Sequence, residues 1–360
     1  MKITRQQDQT KSSSLWKKVI IFRALYLGDM LCAVPALRSL RLHLPNSQIW
    51  MTGLPWAERF AEIFEKYIDG FIPFPGFPGL PEQDWKPGSI SDYLLRIQDQ
   101  HFDLALQMHG DGKTSNFLVS LFGAREVAGF YVEGRYRPSE KFFPYPFGDH
   151  EINRNLTLLS KLGLRPAGEQ LEFPLSQEDR AFAMAALGKA ACTFSPRSYI
   201  CVHPGSRSDK RRWSPEHFAR VADQLGDLGY TICLTGTGRE TDIVADVISR
   251  MKRSCVDTSK FDFDLTILAT LFQGAALLVC NDTGVSHLAA ALSIPSVVVF
   301  TASDANRWAP LNISLHSTVN GGDATSVVEV VRKAKTFLLK EEIEEREVMQ
   351  GLGGINHAPA

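Results

Sequence analysis

Residues 277–300 read LLVCNDTGVSHLAAALSIPSVVVF. Leu277–Cys280 is a short apolar run of the length of a buried strand, and Val285–Leu292 has the apolar character of a packed helix. Pro295 then stops the helix, and Ser296–Phe300 is a second strand-like run. Strand, polar loop, helix and strand make a crossover unit whose two strands run parallel. Strands this apolar belong to a sheet covered on both faces. Ligands of such sheets bind beyond the strand C-termini, which directs attention to Asn281-Asp282-Thr283-Gly284. Free N–H groups and the dipole at the helix start favour an anion there. Gly284 would let a phosphate approach the backbone, and His287 lies one turn in. Alternatively, Asp282 or Thr283 merely caps the helix.

The same alternation extends outward in both directions. Strands are expected at Val19–Leu25, Gln48–Thr52, Asp103–Met108, Val127–Phe130, Tyr199–Val202 and Thr231–Thr235. Helices are expected between them, including Trp56–Tyr67, Ile152–Leu162, Ser214–Leu228 and Glu240–Met251, with a last one at Val327–Leu339. Pro35 fits the first turn of a helix better than its interior, so the first long helix is expected to begin near Pro35, with Asp29 on the connection before it. Residues 71–90 and 131–150 read as loops. The stretch 164–178 reads as a connection, giving domains at 1–172 and 173–345 and a tail at 346–360. The fold class is therefore α/β, with parallel sheets.

Composition fits this reading. The chain has 360 residues, 44% hydrophobic and 22% charged, enough for two domains with their own cores. A net charge of −1 gives no global field for nucleic acid, so any anion site must be local. The cysteines are Cys32, Cys192, Cys201, Cys233, Cys255 and Cys280, with no C-x-x-C pair. They read as small hydrophobes of a reduced, cytoplasmic protein without a zinc site. Met1–Ser14 lacks the apolar segment of a signal peptide, and no apolar run reaches the roughly 18 residues of a membrane span.

Other strand-to-helix connections carry candidate chemistry. His203-Pro204-Gly205-Ser206, followed by Lys210-Arg211-Arg212-Trp213, concentrates cations. Lys210 could neutralise a diphosphate, with Gly205 and Ser206 donating hydrogen bonds, or the loop could simply be solvated. Gly28-Asp29 follows the first strand, where a carboxylate could be a general base or a cap. Gly236-Thr237-Gly238 resembles the start of a dinucleotide fingerprint, with Asp257 placed for a ribose, which keeps an oxidoreductase reading open. Asp262-Phe263-Asp264 has a D-x-D form, although Asp264 is more simply a helix cap. The histidines show no H-x-x-x-H pair, so no metal ligands are expected, and no phosphate-binding G-x-x-x-x-G-K-[ST] occurs.

Four stretches together resemble glycosyltransferase family 9, the bacterial heptosyltransferases. They are Leu27-Gly28-Asp29-Met30-Leu31 with Pro35-Ala36-Leu37, Phe102-Asp103-Leu104 through Gly129-Phe130, His203–Ser206 with Lys210 and Trp213, and Asn281–Gly284 with His287–Ala291 and Pro295. The resemblance spans roughly residues 18–340. It implies the GT-B fold, two Rossmann-like domains facing each other across a cleft, with the acceptor on the first and the nucleotide-sugar on the second. It also implies an inverting, metal-independent transfer without a cofactor, from an ADP-sugar, usually ADP-heptose, to a lipopolysaccharide-core or other glycan or glycolipid acceptor. By motif position Asp29 would be the base, with Gly28 beside it on the acceptor side. Lys210, Thr283 and Gly284 would hold the donor phosphates, Asp282 the donor sugar and Glu240 the ribose. A non-catalytic nucleotide-sugar-binding relative is the remaining alternative. A lipid-linked acceptor would suit peripheral contact with the inner face of the cytoplasmic membrane. The aromatic, basic stretch 131–145 is a candidate surface for it, or an ordinary loop.

Overall fold

The computed structural model describes residues 16–190, 192, 194–261, 263–322 and 325–353, with 341–353 as backbone only. The lead-in Met1–Ser14, Asp262 and residues 354–360 lie outside the described residues. The chain divides into two compact units, one ending at Pro174 and the other beginning at Leu175.

The first unit contains β1 (Lys18–Phe22), α1 (Leu27–His43), β2 (Gln48–Gly53), α2 (Ala57–Ile63), β3 (Gly70–Pro73), α3 (Ser89–Gln98), β4 (Leu104–Gln107), α4 (Ser115–Ser120), β5 (Glu126–Tyr131), β6 (Phe142–Pro144) and α5 (Glu151–Lys161). Its six-stranded sheet has the order β3-β2-β1-β4-β5-β6, and every pairing is parallel. Ile20, Phe22, Ala105, Phe74 and Phe122 are in its core.

The second unit contains α6 (Gln177–Lys189), β7 (Tyr199–His203), a 3₁₀ turn (Asp209–Arg211), α7 (Pro215–Gly226), β8 (Thr231–Leu234), α8 (Thr241–Arg250), β9 (Val256–Asp257), α9 (Leu265–Gly274), β10 (Leu277–Asn281), α10 (Gly284–Ala291), β11 (Ser296–Phe300), α11 (Ala305–Trp308), β12 (His316–Asn320) and α12 (Ser326–Gly353). Its sheet, β12-β11-β10-β7-β8-β9, is also parallel throughout. All residues of β7, β10 and β11 are buried, as expected of strands covered on both faces.

Numbered from its own first strand, each sheet has the doubly wound order 3-2-1-4-5-6, which is the Rossmann arrangement. Each therefore has one switch point, between β1 and β4 in the first unit and between β7 and β10 in the second. The loops at those strand ends are where such sheets bind ligands.

The start of α1 differs from expectation. The helix begins at Leu27, so Asp29 sits in its first turn and Pro35 lies inside it. An interior proline removes one ladder hydrogen bond and costs about 3 kcal/mol in an exposed helix. Here Leu31 through Leu37 are all buried, and that packing outweighs the local preference. The neighbouring α5 also ties this stretch down, because Asn155 Nδ2 donates to the Cys32 carbonyl at 3.2 Å. Several elements, β3, β6 and the start of α6, fall in stretches expected to be loops or a connection. The edge strands β3 and β6 end in Pro73 and Pro144, as edge positions allow. α6, within and beyond the expected connection, is marked by a Ser176 and Asp179 capping box. The final helix runs on to Gly353 rather than ending near Leu339.

Candidate active site

At the switch point of the second sheet, Asn281 ends β10 and is fully buried. Its Oδ1 accepts from the Trp213 backbone N–H at 2.9 Å, and its Nδ2 donates to the Pro204 and Gly205 carbonyls at 2.7 and 3.3 Å. One side chain thus ties both ends of the 204–213 loop to the strand that leads into Asp282-Thr283-Gly284. The sequence motif contained Asn281, but its stapling role depends on contacts about 70 residues away and could not be read there.

Thr283 is the N-cap of α10, yet its side chain makes no cap bond. Ser286 N–H donates to the Thr283 carbonyl at 3.0 Å, and the Gly284 and Val285 N–H groups, which have no intrahelical acceptor, give the α10 start its capacity for an anion. Ser206 is fully buried, and its hydroxyl has no hydrogen-bond partner among the described residues. Lys210 lies in the 3₁₀ turn with an exposed side chain, and its carbonyl accepts from Thr301 Oγ1 at 2.8 Å. The cation that faces the strand end is Arg211, whose Nη1 is 3.9 Å from Asp282 Oδ2. Arg212 is otherwise engaged, donating to the Ser206 carbonyl at 2.8 Å and pairing with Asp209 at 2.7 Å. Asp282 is 3% exposed. Burial pushes its carboxyl above the ordinary value, opposed by a hydrogen bond from the Ser303 hydroxyl and by Arg211. His287 is buried within α10, its ring 6.1 Å from that of Trp308.

Glu240 belongs to the same end of the sheet. It is the N-cap residue of α8, but its carboxylate turns back to accept from the Thr237 N–H and hydroxyl, both at 2.9 Å. Burial raises its pKa, but His203 at 3.8 Å and the Thr237 bonds outweigh this and hold it below the ordinary value. His203 Nδ1 is paired with Thr235 Oγ1 at 3.0 Å. A Cβ at Gly205 would lie 2.2 Å from Glu240 Oε1, so the absence of a side chain there is what lets the carboxylate come in. Glycine serves here by close approach and needs no unusual φ.

The fingerprint acid is committed locally. Asp257 Oδ1 accepts from the Ser259 N–H at 3.0 Å and hydroxyl at 2.6 Å, and Oδ2 pairs with Lys260 at 3.2 Å. Asp264 caps α9 by accepting from Ile267 N–H at 2.8 Å. Among the described residues, no three His, Cys, Asp or Glu side chains gather as a metal site.

At the switch point of the first sheet, Gly28 is buried and Asp29 half-buried at the start of α1. Beneath them lies an ionic network that the sequence did not disclose. Arg23, 1% exposed, follows β1 and meets Glu151 at 3.1 Å, and Glu151 also pairs with Arg154. His109, at the end of β4, stacks on Phe22 with centroids 5.1 Å apart and accepts from Ala24 N–H at 3.3 Å. Burial, with the Arg23 charge, depresses its pKa to about 3. In the 131–145 stretch, Phe142 is core and Lys141 pairs with Glu126, so neither contributes to an open patch. Tyr136 is exposed and stacks on exposed Phe117 at 4.4 Å.

Two Rossmann sheets, each with its polar loops gathered at the switch point, define a chain of the GT-B class. The profile of Glycosyltransferase family 9 (heptosyltransferase) matches residues 94–335. The chain belongs to that family and is a glycosyltransferase. It is 23% identical over 362 residues to lipopolysaccharide heptosyltransferase 2 of Escherichia coli K12, covering 90% of this chain and 99% of that one. A family 9 glycosyltransferase from Veillonella parvula superposes with a TM-score of 0.75 at 21% identity, covering 90% of this chain and 98% of that one. The E. coli ADP-heptose lipopolysaccharide heptosyltransferase II gives 0.73 at 19% identity, over 90% and 99%. Membership sets aside the oxidoreductase reading.

Proposed function

We propose that the chain is an inverting, metal-independent heptosyltransferase that uses ADP-heptose to extend a lipopolysaccharide-core acceptor. The relatives named for ADP-heptose and lipopolysaccharide support that donor and acceptor. The observation that carries the reading is the strand-end cluster of the second unit. There, an α10 start without a side-chain cap, the buried Ser206 hydroxyl, the Asp282 and Arg211 pair and the Gly205 and Glu240 contact belong to adjoining loops.

In this proposal the donor diphosphate lies on the α10 start at Thr283 and Gly284, with Ser206, Lys210 and Arg211 supplying donors and positive charge. Asp282 binds hydroxyls of the donor sugar, and His287, one turn into α10, belongs to the same donor site. Glu240, kept ionised by its surroundings, accepts from the ribose hydroxyls. Asp29 takes the proton of the acceptor hydroxyl as that oxygen bonds to the anomeric carbon. The bond from that carbon to the diphosphate oxygen breaks, and ADP leaves with the electron pair. The cations and helix start offset the charge that develops on the leaving group. An unperturbed aspartate, with a pKa of about 3.9, is a weak base for an alcohol. It suffices if the proton moves late, once an electron-poor anomeric centre has made the hydroxyl acidic. Peripheral membrane contact belongs to the same proposal, with exposed Phe117, Leu121, Tyr136 and Phe147 as its surface.

Thermal stabilisation by ADP, UDP, GDP, CMP and NAD, with and without magnesium, tests the donor assignment. Ligand at 100 times its Kd adds about 2.7 kcal/mol to stability. The expected result is a shift with ADP that magnesium does not change. A shift with another nucleoside diphosphate alone would displace ADP-heptose, and no response to any would overturn the proposal.

A further inference from the structure

We propose that Arg23 is the positioning residue for Asp29, an inference that rests on the reading of Asp29 as the base. The guanidinium has five N–H donors in a fixed fork, and all five have an acceptor. Nε and one Nη2 hydrogen meet the Asp29 carbonyl at 3.0 and 2.7 Å. The other Nη2 hydrogen meets Glu151 Oε1 at 3.1 Å. Nη1 donates to the Met108 carbonyl and to Asn155 Oδ1, the latter at 3.3 Å. The acceptors come from three elements that meet at the switch point: the first turn of α1, the end of β4, and α5.

The network also has an orienting layer. Glu151 is held on its other oxygen by Arg154, which stacks over Tyr145 at 4.6 Å and donates to the Asp149 carbonyl at 3.2 Å. Asn155 donates to the Glu151 and Cys32 carbonyls at 2.9 and 3.2 Å. All four residues, Arg23, Glu151, Arg154 and Asn155, are at most 4% exposed.

A buried ionic triad is an expensive way to fill space, since apolar residues of similar volume are often as stable or more so. Its placement explains what it does here. Pro35 has no N–H for the Leu31 carbonyl, so the ladder of α1 is interrupted just after the segment that carries Asp29. Arg23 on the Asp29 carbonyl and Asn155 on the Cys32 carbonyl pin that segment from outside the helix. The two-pronged grip fixes the Asp29 backbone, and with it the origin of the carboxylate.

The test is a mutant cycle with transfer rate per folded enzyme and ADP affinity as readouts. Lysine at position 23 keeps the charge but cannot reproduce the fork. Arg23→Lys is expected to lower kcat by about 100-fold, the effect of misplacing a reacting group by about 1 Å, with ADP affinity unchanged. In the Asp29→Asn background, Arg23→Lys should leave the residual rate within about twofold, because a positioning effect needs the group it positions. Glu151→Gln provides a second entry should Arg23→Lys fold poorly, and is expected to lower kcat selectively in the same way. Unchanged kcat in folded Arg23→Lys or Glu151→Gln would overturn the proposal. An equal loss in the Asp29→Asn background would overturn it too, showing a general structural role. A wild-type rate for Asp29→Asn itself would mark failure of the base assignment, and the proposal would fall with it.

Discussion

A side chain at residue 205 would begin 2.2 Å from Glu240 Oε1, so the glycine and the carboxylate compete for one space. The obstructing atom is the far end of a flexible side chain, which can swing away without moving the backbone. Gly205→Ala is therefore expected to move the Glu240 carboxylate and to lower the melting temperature by only about the few degrees that its lost Thr237 bonds account for. Glu240 then loses its Thr237 bonds and its approach to a ribose. Loss of hydrogen bonds to a charged group is worth about 1.5–3 kcal/mol, so ADP affinity should fall by roughly 10- to 100-fold, measurable by calorimetry. Unchanged affinity would remove Glu240 from the nucleoside site.

The Ser303 hydroxyl donates to Asp282 Oδ2, and this bond opposes the burial that favours the protonated acid. Ser303→Ala should weaken the donor sugar's hold without touching the nucleotide's. The expectation is a fall of about tenfold in affinity for ADP-heptose, the lower end of a charged hydrogen bond, with ADP affinity preserved. Equal loss for both ligands would place Asp282 on the nucleotide instead.

Of the two adjacent cations, Arg211 faces Asp282 at 3.9 Å, whereas the Lys210 side chain is exposed. Both are expected to support the diphosphate, but charge in a partly desolvated setting counts for more than charge in water. Arg211→Ala should therefore reduce kcat/KM for the donor more than Lys210→Ala. The reverse ranking in steady-state kinetics would show that Lys210 is the principal phosphate ligand.

Two buried histidines predict acid sensitivity. Burial depresses His316 to about 4, and burial with the Arg23 charge takes His109 to about 3, against 6.5 when exposed. Below pH 6.5 the unfolded chain binds protons that the folded one excludes, so stability falls as pH drops from 6.5 towards 4. A tenfold difference in proton affinity between the two states corresponds to about 1.4 kcal/mol. Glu82 and Asp282, raised by burial, act in the opposite sense in the lower part of that range. Urea unfolding at several pH values should show this loss, with a shallower slope in His109→Gln. An identical slope in that variant would mean that His109 is protonated in the folded state.

The apolar runs at Tyr199–Val202, Leu277–Cys280 and Ser296–Phe300 could be read directly, because strands buried on both faces leave an uninterrupted signal. The polar residues that follow such strands, Asp29 and Asp282 among them, could be singled out for the same reason. The start of α1 could not, since local preference places Pro35 at a first turn and only the packing of Leu31 through Leu37 reverses it. Arg23 was illegible in a different way. An arginine after a strand ordinarily points to solvent, and its partners Glu151 and Asn155 lie 128 and 132 residues away. Arg211, rather than its neighbour Lys210, facing Asp282 follows from the 3₁₀ turn at Asp209–Arg211, which a run of three cations does not reveal.

Metal-independent transfer with Asp29 as base stands or falls on product formation from ADP-heptose and a deacylated inner-core acceptor in excess EDTA. The wild-type chain is compared with Asp29→Asn, and the new linkage is assigned by NMR. The expected product forms in EDTA with inverted anomeric configuration, and Asp29→Asn makes it roughly 100- to 10,000-fold more slowly, the usual worth of a general base. Retained configuration, transfer only when a divalent metal is restored, or wild-type turnover by Asp29→Asn would contradict this mechanism.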